Sequence, residues 1–322
     1  MKTQQTAEAL KNEIAKVFIG KEKQIELIAM AIFAGGHVLL DDLPGSGKTT
    51  LIKVMSKALG CDHKRIQFTP DLLPSDIIGM TVYDKDAGSF KHIRGPVFTN
   101  ILLADEINRA IPRTQSALLE AMEENQVSID NESFLLPQPF FVMATQNPVE
   151  RESTFRLPVA QMDRFFIKLS LGFPDRTEEL SMLSKHGDIK DLSPVSEISD
   201  PARLLEIREE INAVYVSDAV RRYIVELVQR TRESSDLEAG ASPRASLSLL
   251  RGGRSLAAMN GRDYVTPEDI ASIYIPVTAH RVSISAAARY VRKDAESILQ
   301  AILKETPVPP AGAEMFDESG TQ

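Results

Sequence analysis

HVLLDDLPGSGKTTLIKVM, residues 37–55, decides how the rest of the chain is read. An apolar strand over 38–40 enters a turn containing Gly and Pro over 42–47, and Lys48, Thr49 and Thr50 then open a helical pattern carrying Leu51, Ile52, Val54 and Met55. Strand, loop and helix in that order make a phosphate-binding loop. Gly45 and Gly47, beside Pro44 and Ser46, let successive backbone N–H groups converge on phosphate oxygens. The positive end of the following helix points at the same place. Lys48 would pair with the β- and γ-phosphates, and the Thr49 hydroxyl would hold Mg2+. The general pattern has Gly six residues before this Lys, where the chain has Asp42.

A second decisive stretch is NILLADEINRA, residues 100–110. Ile101 to Ala104 read as a buried strand of the kind parallel sheets use, delivering Asp105 and Glu106 to its C-terminal end, where open α/β sheets bind ligands. Asp105 would order the magnesium hydration shell, and Glu106 would activate the attacking water. On its own, a strand ending in two acidic residues is commonplace; after a phosphate loop it reads as chemistry. FFVMATQNP, residues 140–148, is another apolar strand, ending in Thr145, Gln146 and Asn147. An amide there can hydrogen-bond the water or the γ-phosphate, although Asn before Pro is also a good turn former.

The remaining patterns fit around these strands. Ala7, Leu10, Ile14 and Val17 mark an amphipathic first helix; Ile19-Gly20 reads as a helix–helix turn or as an apolar shelf for a base. Segments 81–93 and 127–137 alternate around Asp-Ala-Gly and Asp130-Asn131, predicting two hairpin insertions. Leu118, Leu119 and Met122 face inward from a helix starting at Pro112, and Asp163-Arg164 sits between a short helix and a strand. Residues 187–200 are polar and Pro-containing and read as a linker between a core over 1–186 and a helical domain over 201–305. In that domain Ser242 and Pro243 start a helix that leaves Arg244 free to reach an anion. Gly252 and Gly253 predict a break in it, at about 1 kcal/mol each. Residues 285–303 read as one last helix, and the acidic, Pro-containing tail over 306–322 as disordered.

Composition bounds the function. The chain has 322 residues, 43% of them apolar and 25% charged, which suits one large and one small globular domain. The single cysteine, Cys61, rules out an internal disulfide and fits a reducing, cytoplasmic setting. No apolar run is long enough to span a membrane. A net charge of −8 argues against a nucleic-acid coat, leaving only a small basic patch at Lys91, His92 and Arg94.

GPVFTNILLADEINRAIPRTQSALLEAMEENQVSI (95–129), with FVMATQNPVE, LPVAQMDRF and ASPRA, resembles the MoxR family of AAA+ ATPases, from about Val17 to His280. The resemblance implies an α/β fold, an αβα P-loop core with a parallel sheet and a smaller all-α C-terminal lid, assembled as a homo-oligomeric, hexameric ring. It implies ATP and Mg2+ as ligands. Residues 44–50 become a Walker A loop, and Asp105 and Glu106 a Walker B pair. Asn147 matches the first sensor, Arg164 the arginine finger offered to a neighbouring subunit, and Arg244 the second sensor. Ile19-Gly20 then matches the adenine-side turn, and the hairpins match insertions lining a central pore. The family's work is chaperone-like maturation of a protein client, often with a von Willebrand A domain partner. The chain departs from the family pattern at Ser153 and Arg156, so Arg151 and Arg156 compete with Arg164 as the trans cation. Two other functions stay open: a nucleic-acid translocase, which shares the hairpins, and a regulatory module that holds nucleotide without turnover.

Overall fold

The computed structural model describes residues 1–42, 45–130, 132–147, 155–185 and 192–309. Asn131, Arg151, Ser153, most of the 187–200 segment's first half and the tail from 310 onward lie outside these, as does Pro44.

Helices α1 (Lys2–Ala15) and α2 (Glu22–Phe33) precede strand β1 (Val38–Asp41) and helix α3 (Lys48–Ala58). Strand β2 (His63–Gln67), helix α4 (Pro74–Ile78) and the antiparallel hairpin of β3 (Gly79–Asp84) and β4 (Ser89–Arg94) follow. Next come β5 (Ile101–Asp105), α5 (Pro112–Glu124), and a second hairpin of β6 (Gln126–Ile129) and β7 (Glu132–Leu135). Strand β8 (Phe141–Gln146), helix α6 (Val159–Met162), strand β9 (Ile167–Leu169) and helix α7 (Arg176–Lys185) lead to the C-terminal part.

Five strands form one parallel sheet in the order β2-β5-β8-β1-β9. The central ones are apolar along their length because both faces are covered. Leu39, Leu102 and Val142 pack on one face with Leu118, Leu119 and Met122 of α5. Leu40, Leu103 and Met143 pack on the other with Leu51, Val54 and Met55 of α3. Neither hairpin belongs to this sheet, as the sequence predicts for insertions.

The C-terminal part holds α8 (Pro201–Asn212), α9 (Asp218–Glu233), β10 (Leu237–Ala239), α10 (Pro243–Met259), α11 (Pro267–Thr278), β11 (Ser283–Ile284), α12 (Ala286–Tyr290) and α13 (Ala295–Glu305). Its helices share one continuous apolar core with α1, α2 and α3. The expected break in α10 does not occur. A Cβ at Gly252 would lie 2.6 Å from Ile273 Cδ1, and one at Gly253 2.5 Å from Ile270 Cδ1. The two glycines let α10 and α11 approach closely, and the packing gained outweighs the backbone cost. The expected last helix is two, because Arg292 turns left-handed (φ 59°) and Asp294 caps a fresh start by accepting from Ser297 N–H at 2.8 Å. Strands β10 and β11 pair antiparallel, a small ladder that the helical patterns hide.

Candidate active site

The glycine-containing loop over 45–47 follows β1 at the C-terminal edge of the sheet. Gly45 (φ 91°) and Gly47 (φ 83°) adopt left-handed backbone, which side chains disfavour, and a Cβ at Gly47 would stand 2.8 Å from the Phe18 ring. Gly47 also caps α3 without a side-chain cap hydrogen bond among the described residues, and this helix start lies at the cavity described below. The buried Ser46 hydroxyl has no hydrogen-bond partner among the described residues. Lys48 Nζ donates to the Asp42 carbonyl at 3.3 Å.

Asp105 and Glu106 stand beside this loop. Thr145 Oγ1 donates to Asp105 Oδ1 at 2.6 Å and accepts from Glu106 N–H at 2.8 Å, so one hydroxyl holds both acidic residues. Asp105 Oδ2 accepts from Arg65 Nη2 at 2.6 Å. Glu106 is left-handed, at φ 57°, and its Oε2 accepts from Gln67 Nε2 at 2.7 Å and Arg109 Nη1 at 2.9 Å. Asn147 is buried, and its carbonyl accepts from Asn108 Nδ2 at 3.5 Å.

These groups share a cavity of about 480 Å³, lined by residues 45–50, Asp105, Glu106, Thr145 and Asn147. Its other wall is apolar, built from Val17, Phe18, Ile19, Pro174 and Met182. Ile19 therefore lines the cavity, while Gly20 beside it is left-handed (φ 75°) with Glu178 filling the place of a Cβ. Arg65 and Gln67 also line the cavity and escape sequence reading; so does Met182 of α7.

Arg164 and Arg244 are not in this cavity. They line a separate one of about 300 Å³ between α5, the α6–β9 connection and the start of α10, and no residue lines both. Each guanidinium takes one oxygen of the same carboxylate: Arg164 Nε donates to Glu123 Oε2 at 2.8 Å, and Arg244 Nη2 to Glu123 Oε1. The neighbouring Asp163 binds the two segments together, accepting from Ser242 Oγ at 2.9 Å and from Arg281 Nε at 2.8 Å. Arg281 is buried and also donates to the carbonyls of Phe165 and Phe166, at 2.6 and 3.1 Å. Burial pulls its guanidinium down to about 10, and Asp163 opposes the fall. Arg156 is exposed.

Residues 37–167 match the model of the ATPase family associated with various cellular activities (AAA), and residues 229–302 that of the AAA lid domain. The chain is 44% identical over 299 residues to Uncharacterized protein YeaC of Bacillus subtilis, with 92% of each chain covered. It is 38% identical over 312 residues to Chaperone MoxR1 of Mycobacterium tuberculosis, covering 94% of this chain and 82% of that protein. Protein MoxR of Methylorubrum extorquens is 31% identical over 94% of this chain and 95% of its own. A crystal structure from Cytophaga hutchinsonii, described as a candidate ATPase, superposes with a TM-score of 0.89 at 39% identity, covering 96% of this chain and 97% of that one.

Proposed function

The chain belongs to the MoxR family of AAA+ ATPases, and on that premise we propose that it hydrolyses ATP to ADP and phosphate in a site completed by a neighbouring copy. One observation carries the reading: a single cavity gathers the phosphate loop, Asp105, Glu106 and Asn147, while Arg164 and Arg244 converge elsewhere on one carboxylate. Two cations paired on a half-exposed acid are suited to an oxyanion brought by another subunit.

The fit to nucleotide rests on the α3 start at the cavity, the Ser46 hydroxyl, buried with no partner among the described residues, and the apolar wall around Ile19. The fit to Mg2+ rests on donor type, since the Thr49 hydroxyl and Asp105 carboxylate are the hard oxygens that ion prefers. No group of three His, Cys, Asp or Glu able to hold a metal occurs among the described residues, so phosphate oxygens and water would complete its shell. When bound, the ion would neutralise charge on the β- and γ-phosphates. Lys48 and the loop N–H groups hold those phosphates. Glu106 accepts a proton as water attacks the γ-phosphorus and the bond to the ADP oxygen breaks, and Asn147 positions the water. Gln67 or Arg109 must give way for Glu106 to reach it. Arg164, joined by Arg244, stabilises the charge that develops on ATP held by the next subunit.

At the scale of the assembly, the reading is a cytoplasmic homo-oligomer, a hexameric ring, that remodels or matures a protein client with a von Willebrand A domain partner. The two hairpins would line its pore. Tyr83 and Phe90, 56% and 75% exposed and packed edge to face with centroids 5.4 Å apart, offer apolar rings there. No helix among the described residues is long and apolar enough to cross a membrane. A nucleic-acid motor gains little from the basic patch, because His92 pairs with Glu132 at 3.2 Å and Arg94 stacks 5.1 Å from the Phe98 ring.

Two variants test the core of the reading. Lys48→Ala should abolish ATP binding in isothermal titration. Glu106→Gln should bind ATP normally and lose roughly 10²–10⁴ in phosphate release, the worth of one general base. Normal turnover by Glu106→Gln would sink the assignment.

A further inference from the structure

The general phosphate-loop pattern has glycine where this chain carries Asp42. Asp42 is 4% exposed, and its carboxylate faces three neutral donors. Ser170 Oγ donates to Oδ1 at 2.6 Å, Gly172 N–H to the same oxygen at 3.0 Å, and Leu171 N–H to Oδ2 at 2.8 Å. All three belong to the segment that leaves β9 and runs to α7. That segment forms the nucleotide cavity's wall, through Gly172 and Pro174, and α7 adds Met182. Gly172 is left-handed (φ 64°), so its backbone is bent sharply at the point of contact.

The main chain of Asp42 has a different task. Its carbonyl accepts from Lys48 Nζ at 3.3 Å, and its N–H donates to the Gln146 carbonyl at 3.2 Å. Backbone and side chain thus serve opposite sides of the cavity, the first the phosphate loop and the second the apolar wall.

We propose that Asp42 is a positioning residue for nucleotide affinity: its carboxylate pins the 170–174 segment so that Pro174 and Met182 join Ile19 in the apolar wall beside the space taken by the base. The proposal rests on the ATPase reading above and adds what holds the base side of that site in place. A buried carboxylate accepting three hydrogen bonds fixes a loop firmly, because any donor it loses leaves charge uncompensated. Glycine at this position would match the general motif and still free the wall.

That conflict supplies the test. Motif reading expects Asp42→Gly to be neutral or improved. The geometry expects its Kd and KM for ATP to rise about tenfold or more, because the wall loses all three hydrogen bonds to the carboxylate at once. Its kcat at saturating ATP should stay within about twofold, since interactions made equally in ground and transition states move KM alone. Ser170→Ala removes one donor without touching the phosphate loop and should raise Kd about threefold. Titration with ATP, steady-state phosphate release and thermal melting of the nucleotide-free proteins provide the readouts. A folded Asp42→Gly protein with wild-type affinity would overturn the proposal. A loss of kcat at unchanged KM would also overturn it, by moving Asp42 to the phosphate side. Should Asp42→Gly fail to fold, unchanged affinity in Ser170→Ala would be the overturning result. Wild-type protein that binds no ATP defeats the ATPase reading and this proposal together, whereas ATP-binding wild type and equally tight Asp42→Gly defeat the proposal alone.

Discussion

Thr145 shows how much of this site depends on a residue with no chemistry of its own. It is 1% exposed, and its hydroxyl spans Asp105 and Glu106. Glu106 sits in a left-handed conformation that costs a non-glycine residue about 1–3 kcal/mol, and the bond from its N–H to Thr145 helps to keep it there. Thr145→Val keeps the shape and deletes the hydroxyl. It should leave ATP binding near wild type and cut phosphate release by about 10- to 100-fold, as loss of an orienting partner does. Thr145→Ser should retain activity; equal losses in both variants would assign the effect to packing. Lys48, Thr49, Asp105 and Glu106 were legible in the sequence because each ends or begins an apolar run at fixed spacing. Arg65 and Gln67 were not. They alternate with Ile66 along β2 and look like a solvated face until the register Gln67↔Asp105 places that strand beside β5.

Among elements, the sheet strands and α5 were readable because burial on both faces, or on one helical stripe, leaves a periodic trace. Glycine ran the other way. Gly252 and Gly253 read locally as breakers, while the partner helix that requires them lies about twenty residues further on, a fact no local pattern carries. Buried polar side chains also join elements unseen. His37 sits at the entrance to β1, where its Nδ1 accepts from Val142 N–H at 3.0 Å and its Nε2 donates to the Met122 carbonyl at 3.0 Å, tying β8 and α5. Burial, only partly opposed by the Met122 contact, pulls its pKa from 6.5 down to about 4. Between those values the unfolded chain binds a proton that the folded chain refuses. Stability should therefore be complete above pH 6.5 and fall as pH drops toward 4. His63 and His280 shift the same way by burial and add to the slope. Urea midpoints measured from pH 7 to pH 5 should decline for the wild type. His37→Gln should be less stable at pH 7 and flatter across this window. An unchanged slope would move the acid sensitivity to the other two histidines.

In the whole molecule, the C-terminal helices and the sheet share a core, and the segment carrying Arg164 is fastened to the C-terminal helices by Arg281, Ser242 and Asp163. Arg164 and Arg244 are thus held side by side, outside the cavity lined by residues 45–50. Their pairs with Glu123 involve side chains 31–48% exposed, and such pairs contribute about 0–1 kcal/mol. They are cheap to exchange for a phosphate. If the exchange occurs between subunits, Arg164→Ala and Glu106→Gln should each be nearly inactive alone, for different reasons. The first keeps an intact pocket and lacks the cation, a defect worth about 10³–10⁵ in rate. The second keeps the cation and lacks the base. In a head-to-tail ring mixed at equal amounts, roughly a quarter of interfaces pair the pocket of one with the arginine of the other. Phosphate release should rise on mixing once labelled subunits are seen to exchange. Exchange without recovery would mean that Arg164 acts within its own chain or is not the finger, and the same mixing with Arg151→Ala and Arg156→Ala would identify the cation that is.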